Sequence, residues 1–178
     1  MGTMPEASRQ ERRAGIVART VEETGIDEAM IERLVRRFYE AVRADPLLAP
    51  IFEAKIADWE PHLAKMFAFW SSVALMSGRY HGQPMQKHLP LPVEAAHFRR
   101  WLSLFEATAR EICPPPAAEL FIDRARRIAE SLQLGMAFQR GEQPGARWLS
   151  LPGPGGRPSP RGGRGRPGVR TAARLARS

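Results

Sequence analysis

The sequence predicts an all-α domain followed by a disordered tail, and three observations carry that prediction. Between residues 26 and 140 the apolar residues recur with a helical period, no run of alternating β-branched residues competes with it, and the positive charge is confined to the C-terminal end. Residues 1–140 carry 19 Lys and Arg against 18 Asp and Glu, whereas residues 141–178 carry 8 Arg against Glu142 alone. The net charge of +8 is therefore a property of the tail. The organisation expected is an N-terminal extension over residues 1–24, a helical domain over 25–140 and a Pro/Gly/Arg-rich tail over 141–178.

Taken in order, Ile31, Leu34, Val35, Phe38 and Val42 share one face of a first helix, with Asp27 and Glu28 in its opening turn and Asp45-Pro46 to end it. The stretch "LLAPIF" at 47–52 then makes a short apolar corner. A second helix is expected from about Asp58 to Ser77, because Trp59, His62, Leu63, Met66, Phe69, Trp70 and Val73 follow the i, i+3, i+4, i+7 rule. Gly78 is its expected stop. A single-turn helix fits Pro84 to Leu89. Phe98, Trp101, Leu102, Phe105, Ala109 and Ile112 define a long third helix that "PPP" at 114–116 terminates, and Ala117 to Phe138 make the last, with Ile122, Ala125, Ile128, Ala129, Leu132 and Met136 inward. No internal repeat is visible.

The chain's 178 residues suit one domain, and its single cysteine, Cys113, excludes a disulfide framework or a cysteine-based zinc site. No stretch approaches the roughly 18 uninterrupted apolar residues of a membrane span. The N-terminus "MGTMPEASRQERRAG" lacks the apolar centre of a secretion signal, and Glu6 stands where myristoylation wants Ser or Thr. A soluble, unanchored protein of the reducing cytoplasm is the expectation. The tail has too little apolar surface to offset its ordering entropy. Its "RGGRG" suits a low-specificity electrostatic arm on nucleic acid or an acidic partner; such GC-rich text equally arises from a displaced reading frame with no evolved role.

Four histidines narrow the chemistry. His88 lies in "YHGQPMQKHLPLP" (80–92), where flanking prolines constrain the backbone while little is buried. Its bland role is a cation near a helix C-terminus; its sharper one is a neutral imidazole held as a metal or haem-iron ligand, its other ring N–H bonding a carbonyl. His62, on an apolar helical face one turn before Met66, is either a satisfied boundary histidine or part of a ligand site. Tyr39 reads equally as a half-buried aromatic with its hydroxyl satisfied. His81 reads as a loop-surface residue and His97 as a helix-start residue. There is no CxxCH, HExxH or P-loop. A non-covalent haem asks only for one axial histidine and an apolar slot between helices, which the chain supplies.

As a set, "RRFYEAVRADPLLAPIF", "WEPHLAKMFAFW", "YHGQPMQKHLPL" and "HFRRWLSLF" closely resemble group III truncated haemoglobins over about residues 26–138. The resemblance implies a shortened globin, a two-over-two helical sandwich around haem b. It implies that His88, in a Tyr-x-Gly-x-Pro-x-x-x-His pattern, is the proximal iron ligand. Tyr39 falls on the distal tyrosine, His62 on the distal-helix histidine, Phe52 on the haem-stacking phenylalanine and Trp101 on the pocket tryptophan; Met66 joins them in the cofactor-binding set. Arg79, Lys65, Arg99 and Arg100 are candidates for the haem propionates, with solvated surface charge as the alternative.

The function so implied is reversible binding of dioxygen, nitric oxide and carbon monoxide at ferrous iron by a monomer. Nitric oxide dioxygenation or peroxidase-like chemistry would require a separate reductase, so enzymatic activity stays open. Two alternatives accompany it: a haem-free helical interaction domain whose basic tail binds nucleic acid, and a globin-based gas or redox sensor with the tail as output.

Overall fold

A computed structural model describes residues 6–141. It contains α1 (Glu6–Thr24), α2 (Glu28–Ala44), α3 (Ala49–Glu53), α4 (Trp59–Leu75), α5 (Pro84–His88), α6 (Ala95–Ile112) and α7 (Pro115–Gln139), with no strand among the described residues. The all-α expectation holds. The disorder and the nucleic-acid contact expected of the tail fall on residues 142–178, outside the described residues.

Helix α2 forms where expected and buries one stripe, Met30, Ile31, Leu34, Val35, Phe38, Tyr39 and Val42. Asp27 caps it, its carboxylate accepting from the Met30 N–H at 2.7 Å. The Asp45-Pro46 boundary does more than stop the helix. Asp45 is buried; its carboxylate accepts from the Leu47 and Leu48 N–H groups at 3.1 and 3.0 Å and from Arg100 Nε of α6 at 2.6 Å. One side chain thus starts α3 and ties it to α6. Burial alone would raise the Asp45 carboxyl, but Arg100 and the two backbone donors together hold it below its ordinary value.

Helices α6 and α7 are joined at Cys113-Pro114 and pack along each other, while α2 lies against both α4 and α6. Phe38, Phe105 and Phe121 are the largest fully buried side chains and mark the centre, where each ring contributes about 1.5–3 kcal/mol. On α7 the inward residues are small where α6 approaches, Ala117, Ala118, Ala125 and Ala129 among them. The helix begins at Pro115 and not at Ala117, because proline is tolerated in a first turn whose N–H groups have no helical partner. Phe121, which the periodicity left out, is fully buried, while Ile128 is only half-buried. Cys113 is buried, and desolvation pushes its thiol up to about 11, with Arg33 opposing.

Two expectations about α4 need correction. It ends at Leu75, with Met76 taking the left-handed conformation (φ 50°), so Gly78 is not the stop although it too has positive φ. The cause is a tether: the buried Ser71 hydroxyl donates to Glu28 Oε1 at 2.6 Å and shares a 2.7 Å hydrogen bond with Ser77, drawing the chain back, while Arg13 of α1 donates to the Met76 carbonyl. The second correction concerns its inward face. Only Leu63, Trp70, Ser71 and Ala74 are buried; Trp59, His62, Met66, Phe69 and Val73 are half-buried, packed on the core from one side.

The N-terminal extension is itself a helix from Glu6, docked on α4 and α7. Its apolar stripe is thin, with Ile16 and Val21 about 40% exposed (41% and 40%), which is why helical periodicity did not reveal it. No helix among the described residues is long and apolar enough to cross a membrane.

Candidate functional site

Three helices build an aromatic cluster at one end of the α2–α4 pair. Tyr39 of α2 meets the His62 ring of α4 edge-on, with centroids 5.1 Å apart and planes at 89°. Trp59 lies 5.9 Å from Tyr39 and 6.0 Å from His62, and Phe52 of α3 closes the group 5.9 Å from Tyr39. The spacing explains the meeting. Trp59 and His62 are i and i+3 on α4, so both project from one face toward the stripe of α2 that carries Tyr39.

Burial sets the protonation of this cluster. Desolvation pushes the Tyr39 phenol well above its ordinary value, so it stays a neutral O–H donor. Desolvation, and secondarily the charge of Lys65, lowers the His62 imidazole, so it is neutral at pH 7. His62 Nε2 is buried with no hydrogen-bond partner. A polar ring atom buried without a partner costs about 1–3 kcal/mol, and Arg124 Nε is the other side-chain atom of this kind among the described residues.

Trp101 of α6 sits beside this cluster and not in it. Its ring stacks on Phe105 (5.4 Å, 11°) and meets Phe38 edge-on at 5.3 Å; Phe38 in turn touches Tyr39 at 5.1 Å. Met66 is half-buried against the same core, one turn beyond His62.

His88 is held by different means. It ends α5, a single turn on α7, and its Nδ1 lies 2.7 Å from the Pro84 carbonyl oxygen. A carbonyl only accepts, so in the neutral tautomer this contact selects, the proton is on Nδ1 and the lone pair on Nε2. The prolines noted in the sequence thus have a further purpose: Pro84 supplies the oxygen that selects the tautomer. Helix α5 is seated on α7 where Gly135 leaves room, since a Cβ there would come 2.3 Å from Met85 Cε and 2.5 Å from its Sδ.

Of the remaining candidates, some have partners within the fold and others are exposed. His97 Nδ1 accepts from the Glu94 N–H at 3.0 Å as part of the α6 capping box, and His81 is exposed in a loop. Arg79 pairs with Glu28 at 3.0 Å and Arg100 with Asp45, so both are engaged within the fold. Arg99 and Lys65 are exposed. A surface depression of about 320 Å³ is lined by Glu40, Arg43, Ala44 and Glu53, none of them in this site.

The donor set suits a non-covalent haem. Such a group needs one neutral imidazole with a free lone pair, apolar side chains able to lie against a macrocycle, and polar hydrogens for a small ligand. His88 meets the first; Phe52, Met66 and Trp101, each half-buried, meet the second; Tyr39 and His62 meet the third. Trp59, which the spacing places only on the apolar face of its helix, the Pro84 carbonyl and Gly135 join the site in the structure alone. Their signals were there: an aromatic three residues before His62, a proline four before His88, and a glycine inside a helix, where it costs about 1 kcal/mol and asks for a packing reason.

Comparison with known proteins points the same way. A family described as bacterial-like globin matches residues 20–133. The chain is 37% identical over 113 residues to the group 3 truncated hemoglobin ctb of Campylobacter jejuni, covering 61% of this chain and 89% of that protein. It is 31% identical over 80 residues to the group 2 truncated hemoglobin YjbI of Bacillus subtilis, covering 44% and 61%. Among solved structures, the group III truncated hemoglobin of Campylobacter jejuni superposes with a TM-score of 0.59 at 36% identity, covering 62% of this chain and 91% of that one. A thermostable hemoglobin from the actinobacterium Thermobifida fusca superposes at 0.54 with 25% identity, covering 64% and 94%.

Proposed function

The chain belongs to the bacterial-like globin family, and from that premise we propose that it is a haem b protein with His88 as iron ligand and Tyr39, His62 and Trp101 turned toward a diatomic gas. The haem, when bound, supplies a ferrous iron to which dioxygen, nitric oxide or carbon monoxide coordinates. The observation that carries the reading is the 2.7 Å contact of His88 Nδ1 with the Pro84 carbonyl, which leaves Nε2 as the free ligand atom and raises its basicity.

The chain's own contribution toward the gas would be electrostatic. Tyr39 O–H and the Trp101 indole N–H are donors, and His62 adds a third where its Nε2 bears the proton. Donors aimed at a partly negative oxygen slow its release, each by about 1.5–3 kcal/mol at most. Phe52 and Met66, both half-buried and apolar, would help hold the haem and keep water from it. Slow release suits redox chemistry better than bulk transport. Conversion of nitric oxide and dioxygen to nitrate, or reduction of peroxide, would then depend on a separate reductase.

The test is the visible spectrum of the chain supplemented with haem and reduced under carbon monoxide, beside His88→Ala. A sharp Soret band in the wild type, lost or turned free-haem-like in the variant, is expected. A wild type that takes up no haem ends this reading. If the ferrous-oxy protein converts nitric oxide no faster than free haem, the dioxygenase role is dropped.

A further inference from the structure

A file of aromatic rings runs from Trp101, beside the cluster, to Tyr80 just beyond the end of α4. Trp101 stacks on Phe105 (5.4 Å, 11°), and Phe105 stacks on Trp70 (4.8 Å, 19°), so three rings from α6 and α4 lie face to face. Trp70 meets Phe69 at 5.5 Å, and Phe69 meets Tyr80 at 5.2 Å. No successive pair of centroids exceeds 5.5 Å. Phe105 and Trp70 are buried, whereas Tyr80 is half-buried, so the file ends at a phenol that reaches solvent.

The terminal ring is deliberately seated. The Tyr80 N–H donates to Ser72 Oγ at 2.9 Å, and Tyr80 lies across Gly82, where a Cβ would stand 2.2 Å from the phenol oxygen. A side chain at position 82 would push the ring from that place. The three oxidisable rings, Trp101, Trp70 and Tyr80, alternate with phenylalanines that do not lose electrons themselves but bring the oxidisable rings into electronic contact.

Resting on the haem reading above, we propose that this file is a hole-transfer path: when peroxide is reduced at the haem, electrons are drawn through Trp101 and Trp70 from Tyr80, which oxidises phenolic reductants at the surface. Hydrogen peroxide takes up two electrons and two protons and gives two waters. Each electron is supplied in turn by Tyr80, which loses its phenolic proton to solvent as it becomes a tyrosyl radical. A phenolic donor then gives Tyr80 one hydrogen atom. Two phenols therefore become two phenoxyl radicals for each peroxide consumed, and the chain ends unchanged.

The competing exit is weaker on charge and burial. Trp59 neighbours Tyr39, but the Arg43 guanidinium sits 4.8 Å over its ring, and a positive charge there opposes formation of a radical cation. Tyr39, the other tyrosine of the chain, is 7% exposed against a half-buried Tyr80, so its proton passes less readily to water on oxidation.

The full chain is loaded with haem in the ferric state, its Soret band recorded, then mixed with hydrogen peroxide and freeze-quenched for electron paramagnetic resonance. A parallel sample receives a nitroso spin trap and is mapped by mass spectrometry. The wild type is expected to give a tyrosyl signal and an adduct on Tyr80. Tyr80→Phe, a change at a half-buried loop ring, loses both, and Trp70→Phe loses the tyrosyl signal while a tryptophanyl signal accumulates at Trp101. A tyrosyl signal that survives Tyr80→Phe, or an adduct on Tyr39 or Trp59 alone, overturns the path. So does a Soret band with no aromatic radical in the wild type. A sample with no Soret band overturns the haem reading itself, and the path with it.

Discussion

The two regions that carry the candidate residues are held by different physics. Tyr39, Phe52, Trp59 and His62 are held by long helices and ring contacts, and Tyr39 is buried within the core cluster. His88 sits on a five-residue helix with no buried residue, fixed by one hydrogen bond to Pro84 and by Met85 lying over Gly135. The ring side should be as stable as the domain, because displacing it opens the core. The His88 side should open locally at a fraction of that free energy, since little apolar surface holds it.

The largest effect expected is on the His88 side. His88→Gly removes the ligand, and since loss of a group that merely orients a ligand costs about 10- to 100-fold, loss of the ligand should weaken haem retention by more than about 100-fold. Added imidazole should restore a low-spin or ligand-binding spectrum if α5 serves only to present the ring. Failure of imidazole to rescue would show that the turn itself is needed. On the ring side, Tyr39→Phe keeps the packing and deletes one donor. Dioxygen dissociation measured by stopped flow should accelerate about 10- to 100-fold, the equivalent of about 1.5–3 kcal/mol, with carbon monoxide release changed far less because its bound oxygen carries less charge. Equal acceleration of both gases would mean that the ring fills space and donates nothing.

Gly135→Ala separates the two sides more finely. The added methyl improves helix propensity by about 1 kcal/mol but meets Met85, whose flexible end can swing aside. Global stability should therefore hold or rise, while amide exchange over residues 84–89 becomes faster as α5 loses its seat. Unchanged exchange there would show that Met85 does not anchor the turn.

The same division decides what was legible in the sequence. Helices α2, α4, α6 and α7 were readable because each buries a periodic stripe, and Tyr39, His62 and Trp101 could be placed on three of them. What periodicity cannot encode is contact between stripes: nothing in the spacing says that Trp101 stacks on Phe105 and Trp70 while Tyr39 turns to His62 and Trp59. Helix α1 was invisible for the opposite reason, a stripe too thin to register. The end of α4 was misplaced because a buried serine and a carboxylate 43 residues away fix it, and a long-range polar pair leaves no local signature. His88 stood out through its proline-constrained segment, and the resemblance then gave it the proximal role, while its i to i−4 bond to a proline carbonyl shows only where α5 forms a helical turn.

The smallest expected effect concerns pH and the ring side alone. Burial, with Lys65 adding to it, depresses the His62 imidazole below its ordinary value of 6.5, so the folded chain resists taking up a proton that the unfolded chain accepts. Between the unfolded and folded values the unfolded state binds more protons, which means stability rises with pH there and is lost as pH falls from 6.5 toward the depressed value. Below the folded value both states are protonated and the loss levels off. Denaturant unfolding of wild type beside His62→Gln across that interval should show the wild type losing stability faster on acidification, with Lys65→Gln reducing the difference. The opposite slope, a wild type stabilised by acid relative to His62→Gln, would mean that the imidazole is held charged in the fold. The Tyr39–His62 contact would then be a cation against an aromatic ring, and His62 would be a permanent donor to a diatomic ligand at neutral pH, not a neutral one.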